Sequence, residues 1–160
     1  RCCRAVGCVA ERAGPGVRLA SVEGVPEPVS MRPQAIVRAV ENLVSNAQRF
    51  GSHVELRLTF QDRSLRFQVE DDGPGIPADM RDEVFKPFLR LDDARNIDEG
   101  GSGLGLAIVQ DIAALHGGEV ALLDAAGGGL RVRVALPRRP RAAALQPPAP
   151  GSACASSSSM

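Results

Sequence analysis

Four glycines lie within six residues at positions 100–105, and an apolar run starting at Leu106 follows them at once. A glycine-rich turn that leads into a helix exposes unpaired backbone N–H groups at the positive end of the helix dipole, which suits a phosphate. A Walker A loop is excluded because no lysine follows the glycines. A G-x-G-x-x-G dinucleotide motif is excluded because Leu106 takes the place of its third glycine. Taken alone, the stretch also fits a flexible surface turn before an ordinary helix.

A long amphipathic helix carrying two asparagines is predicted earlier in the chain. Pro33 suits its first turn, and Gly51 ends it. Apolar residues recur at intervals of three and four and form one face: Ile36, Val40, Leu43, Val44, Ala47 and Phe50. A polar stripe lies opposite: Arg38, Asn42, Asn46 and Arg49. Asparagine is a poor helix former, so two of them in register indicate either a ligand-binding role or a solvated polar face.

A tight acidic loop, Asp71-Asp72-Gly73-Pro74-Gly75-Ile76-Pro77, lies between these two segments. Residues 54–60 and 65–70 alternate strictly and predict a hairpin, which indicates an antiparallel sheet with helices on one face. Residues 89–99 are charged and aperiodic, as is typical of a functional lid. The remaining predicted elements are a short helix over 79–85, a long helix over 104–116, and strands over 119–124 and 130–136.

The composition limits the class of protein. A chain of 160 residues can bury a sizeable core. Its 19 basic residues balance its 19 acidic ones, so we expect no nucleic-acid partner. No apolar run approaches the roughly 20 residues that cross a bilayer, so we expect no membrane segment in this chain. Because the sequence begins with Arg1, we interpret it as a piece of a longer protein.

The two ends of the chain are predicted to lie outside the folded domain, which we place at 17–137. Residues 1–16 are expected to form the frayed end of a linker, and the Arg-, Pro-, Ala- and Ser-rich residues 138–160 a disordered tail. Short strands are expected at 17–20 and 28–31. The cysteines lack the paired C-x2-C spacing of a zinc site, so we interpret them as incidental; they are Cys2, Cys3, Cys8 and Cys154.

Four of these features, taken in order, resemble the ATP-binding catalytic domain of two-component sensor histidine kinases. The asparagine helix, the D-x-G-x-G loop, Phe85-Lys86-Pro87-Phe88 and the glycine-rich turn match the family's N, G1, F and G2 boxes at 41–50, 71–76, 85–88 and 101–106. The wider superfamily includes gyrase B, Hsp90 and MutL. The resemblance implies an α+β fold of the Bergerat type, a two-layer α/β sandwich whose mixed, mostly antiparallel sheet is covered on one face by helices.

The resemblance also implies that the chain binds ATP and Mg²⁺. Asn46 would hold Mg²⁺ through its amide oxygen, and Asn42 would be its companion on the metal or the phosphates. Arg49 would contact the phosphates, and Phe50 would pack near the base. Asp71 would accept a hydrogen bond from the adenine amine and so select ATP over GTP. The two glycine-containing loops would supply the remaining contacts: Gly73, Gly75, Ile76, Gly101, Ser102, Gly103, Leu104, Gly105 and Leu106.

The sequence offers no phosphoacceptor, and we assign no catalytic residue within it. Its only histidines are His53 and His116, and neither precedes the acidic residue of the family's acceptor motif, so both are interpreted as structural. By resemblance, the acceptor would lie on a helical hairpin of the parent kinase that also makes the parent a homodimer. A receiver domain of a response regulator would then take the phosphoryl group.

Two alternatives from other classes stay open at this point. One is a nucleotide-sensing module that binds ATP or ADP without transfer, and the other is an ATPase whose hydrolysis drives dimer gating. Nucleotide chemistry indicates a cytoplasmic location, and anchoring of the parent in the inner membrane stays open.

Overall fold

The computed structural model describes residues 2–24, 31–87 and 105–137. Several expectations fall outside this part of the chain. They concern the strand at 28–30, Phe88, the charged loop 89–99, the glycines before residue 105 and the tail 138–160.

Within the described ranges the chain forms three α-helices, five β-strands and two short 3-10 turns. The helices are α1 (Cys2–Ala13), α2 (Pro33–Phe50) and α3 (Gly105–Leu115). The strands are β1 (Val17–Glu23), β2 (Val54–Phe60), β3 (Ser64–Asp71), β4 (Glu119–Asp124) and β5 (Leu130–Pro137). No helix in these ranges has both the length and the apolar character needed to cross a membrane.

The five strands form one sheet in the order β1-β2-β3-β5-β4. The β1–β2 pair is parallel, and the β2–β3, β3–β5 and β4–β5 pairs are antiparallel. The register of β1 against β2 shifts between Leu19 and Ser21, which marks a bulge or irregularity in this edge strand. The sheet is therefore mixed and mostly antiparallel, as the sequence predicts.

One face of the sheet carries the hydrophobic core. Alternate residues of the three central strands are buried: Val54, Leu56, Leu58, Phe60, Leu65, Phe67, Val69, Leu130, Val132, Val134 and Leu136. The apolar faces of α2 and α3 pack against them, and Ile36, Val40 and Leu43 of α2 are at most 2% exposed. The opposite face is polar and carries cross-strand ion pairs such as Arg131–Glu70 and Arg18–Glu55. This two-layer arrangement confirms the predicted fold class.

The expected linker at the start of the chain is wrong for residues 2–13, because they form α1 and join the core. Val6, Val9 and Ala10 are at most 5% exposed and belong to the same hydrophobic cluster as α2. Together with Ala13 they recur at helical spacing, which is the signal that the prediction missed. Packing on α2, rather than intrinsic propensity, explains how a segment with a glycine at position 7 holds a helix.

The predicted short helix over 79–85 is also wrong in detail. The structure has two separate 3-10 turns, Ala78–Met80 and Glu83–Phe85. Each is closed by an i→i+3 bond, from Met80 N–H to the Pro77 carbonyl and from Lys86 N–H to the Glu83 carbonyl, both 3.0 Å long. Prolines 77 and 87 bound the segment and confine any helix here to the residues between them.

The packing of α1 predicts a large difference between two substitutions that add the same charge. Val6→Asp buries an unpaired carboxylate in the core and should lower the free energy of unfolding by about 3–5 kcal/mol. Cys8→Asp places the carboxylate on the exposed side of the helix and should change it by no more than about 0.5 kcal/mol. Urea denaturation of both variants measures the two values. Equal midpoints for Val6→Asp and the unmodified chain would show that α1 does not pack as described.

Candidate functional site

The polar stripe of α2 meets the first residue of α3 at Asn42. The Asn42 amide nitrogen donates a 2.8 Å hydrogen bond to the carbonyl oxygen of Arg38, one helical turn earlier. In the described part of the chain no hydrogen bond engages the amide oxygen of this side chain. That oxygen lies 3.7 Å from the position that a Cβ atom would occupy on Gly105. The start of α3 and Asn42 are thus brought together.

The stripe continues along α2 toward its C-terminus. Asn46, one turn beyond Asn42, is partly buried, and Arg49 is exposed. The guanidinium carbon of Arg49 lies 5.4 Å from the centroid of the Phe50 ring, which is a cation–π distance. The last turn of the helix therefore presents a cation and an aromatic ring side by side.

Asp71 is the one buried charged residue in the part of the chain that the structure describes, with 8% of its surface exposed. It ends β3 on the face that carries Leu65, Phe67 and Val69. Its Oδ1 accepts two backbone hydrogen bonds, from Gly73 N–H at 2.9 Å and from Leu130 N–H at 3.3 Å. Backbone donors on two different segments fix this oxygen in place, and among the described residues no hydrogen bond engages Oδ2.

The loop after Asp71 packs against the end of α2. A Cβ atom on Gly73 would lie 2.6 Å from the Phe50 carbonyl oxygen, so only glycine fits there. Gly75 has a φ of 74°, a backbone conformation that favours glycine. Ile76 packs against the core cluster. Because Phe50 and Asn42 are eight residues apart, this loop and the start of α3 meet the same helix about 12 Å from each other.

Comparison with known proteins identifies the family. The family model described as "Histidine kinase-, DNA gyrase B-, and HSP90-like ATPase" matches residues 31–140. The histidine kinase domain of the Escherichia coli osmosensor EnvZ, solved by NMR, is 38% identical with a TM-score of 0.61, covering 84% of this chain and 84% of that chain. The chain belongs to the ATP-binding catalytic domains of sensor histidine kinases.

Two further relatives agree with this assignment. The sensor histidine kinase CpxA of Escherichia coli strain K12 is 41% identical over 114 residues, which are 70% of this chain and 25% of CpxA. Full-length ShkA, solved in complex with AMPPNP, is 27% identical with a TM-score of 0.64, covering 86% of this chain and 29% of ShkA. The chain thus spans about a quarter of the length of the curated relatives it matches.

The residues that the sequence predicts to form the nucleotide site divide into those that the structure describes and those that lie outside the described ranges. The described group is close to α2 or to the Asp71 loop, and Leu106 packs in the core beneath the start of α3. The other group, Gly101, Ser102, Gly103 and Leu104, lies outside the described residues. Contacts of that second group with a nucleotide stay a prediction.

The donor set of this site restricts how a metal ion could be held. Within the described ranges no group of three or more His, Cys, Asp or Glu side chains is placed to bind one. The α2 stripe offers amide oxygens, which are hard ligands that suit Mg²⁺. These residues fit an ion that takes its remaining oxygens from phosphates and water rather than from a protein cage.

Asp72 plays a structural part, and its partners lie just after α2. Its Oδ1 accepts the backbone N–H groups of Ser52 and His53 at 2.7 and 3.0 Å, and its Oδ2 lies 3.0 Å from His53 Nδ1. The hydrogen bonds from His53 and Ser52 lower the pKa of Asp72 from 3.8 to about 2. Asp72 therefore joins the end of α2 to the loop that carries Asp71.

Two contributors to the site were missed by sequence reasoning. Gly129, in the β4–β5 turn, approaches so closely that a Cβ atom on it would lie 1.8 Å from the Asp71 carbonyl oxygen. Arg81, between the two 3-10 turns, donates to the Ile76 carbonyl oxygen at 3.2 Å. The run Gly127-Gly128-Gly129 is typical of a turn, but nothing local in the sequence ties it to Asp71.

The lowered pKa of Asp72 predicts a pH-dependent contribution to stability. Because the pKa is lower in the folded state, the stabilisation is present above about pH 4 and is lost as the pH falls toward 2. Asp72→Asn should therefore have a lower urea midpoint than the unmodified chain at pH 7, with the gap closing at low pH. Asp79→Asn, which removes an exposed carboxylate from the neighbouring 3-10 turn, is the control and should shift stability by no more than about 0.5 kcal/mol. A gap that stays constant between pH 7 and pH 2 would contradict the assignment.

Proposed function

We propose that this domain holds Mg-ATP for transfer of the γ-phosphoryl group to a histidine on a helical hairpin of the parent kinase, which passes it to a receiver domain of a response regulator. One arrangement carries the proposal. The fixed carboxylate of Asp71 lies at the start of a loop that packs on the end of α2, and the amide stripe of α2 leads from there to the start of α3. These features define a single path along α2 for the nucleotide.

The base would bind at the Asp71 end of this path. Oδ1 of Asp71 is committed to two backbone donors, so the carboxylate cannot rotate freely and Oδ2 has a set direction. Adenine offers an exocyclic amine to such an acceptor, whereas guanine offers a carbonyl oxygen at the corresponding position. Phe50 and Ile76 would supply apolar walls for the ring.

The phosphates would bind toward the start of α3. The N–H groups of the first helical turn are unpaired within the helix and favour an anion. Asn46 would hold Mg²⁺ through its amide oxygen, with Asn42 beside it and Arg49 contributing positive charge. When bound, the ion supplies neutralisation of phosphate charge, the main requirement of phosphoryl transfer.

The residues of this domain would act by positioning and electrostatics. Phosphoryl transfer needs the γ-phosphoryl group in line with an incoming nucleophile, and binding both ends of the nucleotide restricts its orientation. The acceptor histidine comes from the hairpin of the parent chain, so no covalent residue is required here.

The base-reading role of Asp71 predicts a loss of both affinity and selectivity. Asp71→Asn replaces an acceptor-only carboxylate by an amide and should weaken ATP binding about tenfold or more, because a hydrogen bond to a charged group is lost. The ATP to GTP preference should shrink as well. Isothermal titration with both nucleotides measures the change, and Asp62→Asn in the β2–β3 turn is the matched control. Unchanged ATP affinity in Asp71→Asn would refute the assignment.

The metal-holding role of Asn46 predicts a loss that depends on Mg²⁺. Asn46→Ala should remove most of the tightening that Mg²⁺ gives to ATP binding, roughly tenfold, and should leave binding of adenosine unchanged. Titrations with and without Mg²⁺ separate the two effects. Gln34→Ala, an exposed position on the first turn of the same helix, controls for the change in side chain. Equal Mg²⁺ dependence in Asn46→Ala and the unmodified domain would exclude the role.

Transfer itself is tested by supplying the missing acceptor. The domain is mixed with Mg-[γ-³²P]ATP and a separately made acceptor hairpin, and label on the hairpin histidine is the expected result. Release of free phosphate by the domain alone would instead favour an ATPase. Binding without label on any hairpin would favour a nucleotide sensor.

A further inference from the structure

Arg81 contacts two segments around the base end of the proposed site. Its Nε donates to the Ile76 carbonyl oxygen at 3.2 Å, its Nη1 to the Leu122 carbonyl oxygen at 3.4 Å, and its Nη2 to Asp124 Oδ1 at 2.6 Å. The side chain is 22% exposed. A single guanidinium thus links the Asp71 loop to strand β4.

The segments that Arg81 joins are those that flank Asp71. Ile76 ends the D-x-G-x-G-I stretch, and Asp124 is the last residue before the β4–β5 turn. That turn contains Gly129, which packs on the Asp71 backbone, and it leads to Leu130, which donates to Asp71 Oδ1. Arg81 therefore lies on a second connection between the two loops, separate from the hydrogen bonds of Asp71 itself.

We infer that Arg81 is a positioning residue for the base end of the nucleotide site, an inference that rests on the proposed function. It holds the Ile76 backbone at a fixed distance from β4. Because Ile76 belongs to the loop after Asp71, Arg81 thereby also positions that loop. It makes no contact with the phosphates in this assignment. Its effect on binding should therefore depend on the base and not on the number of phosphate groups.

The geometry requires an arginine and not only a positive charge. A guanidinium presents several N–H donors in a rigid fork, and Arg81 uses three of its nitrogens on three acceptors. Lysine has one nitrogen and cannot span the same set. The ion pair itself contributes less, because the Asp124 side chain is 82% exposed and the charges are screened by water.

The experiment measures the affinity of the domain for adenosine, ADP and ATP in Arg81→Lys and Arg81→Met. All three ligands should lose affinity by the same factor, about tenfold, because the shared base is what becomes misplaced. Asp124→Asn should cost less than about threefold for each ligand, because it removes only the screened pair. Arg18→Met, at an exposed ion pair on β1, should bind as the unmodified domain does.

Several outcomes of these titrations would contradict the role of Arg81. A loss that is present for ATP but absent for adenosine would overturn the inference, because Arg81 would then act on the phosphates. Affinity equal to that of the unmodified domain would overturn it too, and a lowered melting temperature alone would mean that the residue is merely structural. If Arg81→Met fails to fold, Arg81→Lys still gives the comparison between ligands.

Failure of the proposed function would look different from failure of this inference. An unmodified domain that binds neither adenosine nor Mg-ATP would refute the nucleotide site as a whole. An unmodified domain that binds both, beside Arg81 variants that bind equally well, would refute only the role of Arg81.

Discussion

The carboxylate of Asp71 is the constraint on which the arrangement of this domain depends. A charge that is 8% exposed at the end of a buried strand face is costly unless it is hydrogen-bonded. The two bonds come from Gly73, in the loop that follows, and from Leu130, which enters by the pairing of β3 with β5. The sheet register, the close packing of Gly129 and the loop conformation thus serve the same side chain.

Helix α2 has an apolar face in the core and a polar face that belongs to the proposed site. The apolar residues on one side fix the rotation of the helix on the sheet, since Ile36, Val40 and Leu43 are almost fully buried. Once that rotation is set, the direction of Asn42 and Asn46 is set with it. The helix connects the loop that carries Asp71 to the start of α3, so the proposed site couples core packing to the geometry of nucleotide binding. Substitutions in the core can therefore alter nucleotide binding without touching a ligand contact.

Most of the fold follows from patterns that are local in the sequence. The apolar spacing of α2 and the alternation in β2 and β3 gave those elements within about a residue, because a one-sided core imposes these periods. Helix α1 was missed because its apolar residues are small and stand among cysteines, arginines and a glycine. Its stability comes from packing on α2, and α2 is too distant in the chain to be included in a sequence window of a dozen residues around α1.

The candidate site likewise has a part that could be predicted from the sequence and a part that could not. The family resemblance marks Asn42, Asn46 and Asp71 from short motifs, although their roles on a nucleotide stay predictions. The partners of Asp71 and Arg81 that are distant in the chain could not be predicted: Leu130 is 59 residues from Asp71, and Asp124 is 43 residues from Arg81. The Asp71–Leu130 contact follows from the pairing of β3 with β5, and the Arg81–Asp124 contact follows from the packing of the 3-10 segment beside β4, so the members have no characteristic spacing in the chain.

The irregular register of β1 has a consequence for how this protein behaves at high concentration. An outer strand with a regular row of free N–H and C=O groups is a template onto which another molecule can add its own strand. In β1 the step between Leu19 and Ser21 interrupts that row, and the charged Arg18 and Glu23 lie on either side of it. The same edge that completes the parallel pair is thereby a poor starting point for aggregation.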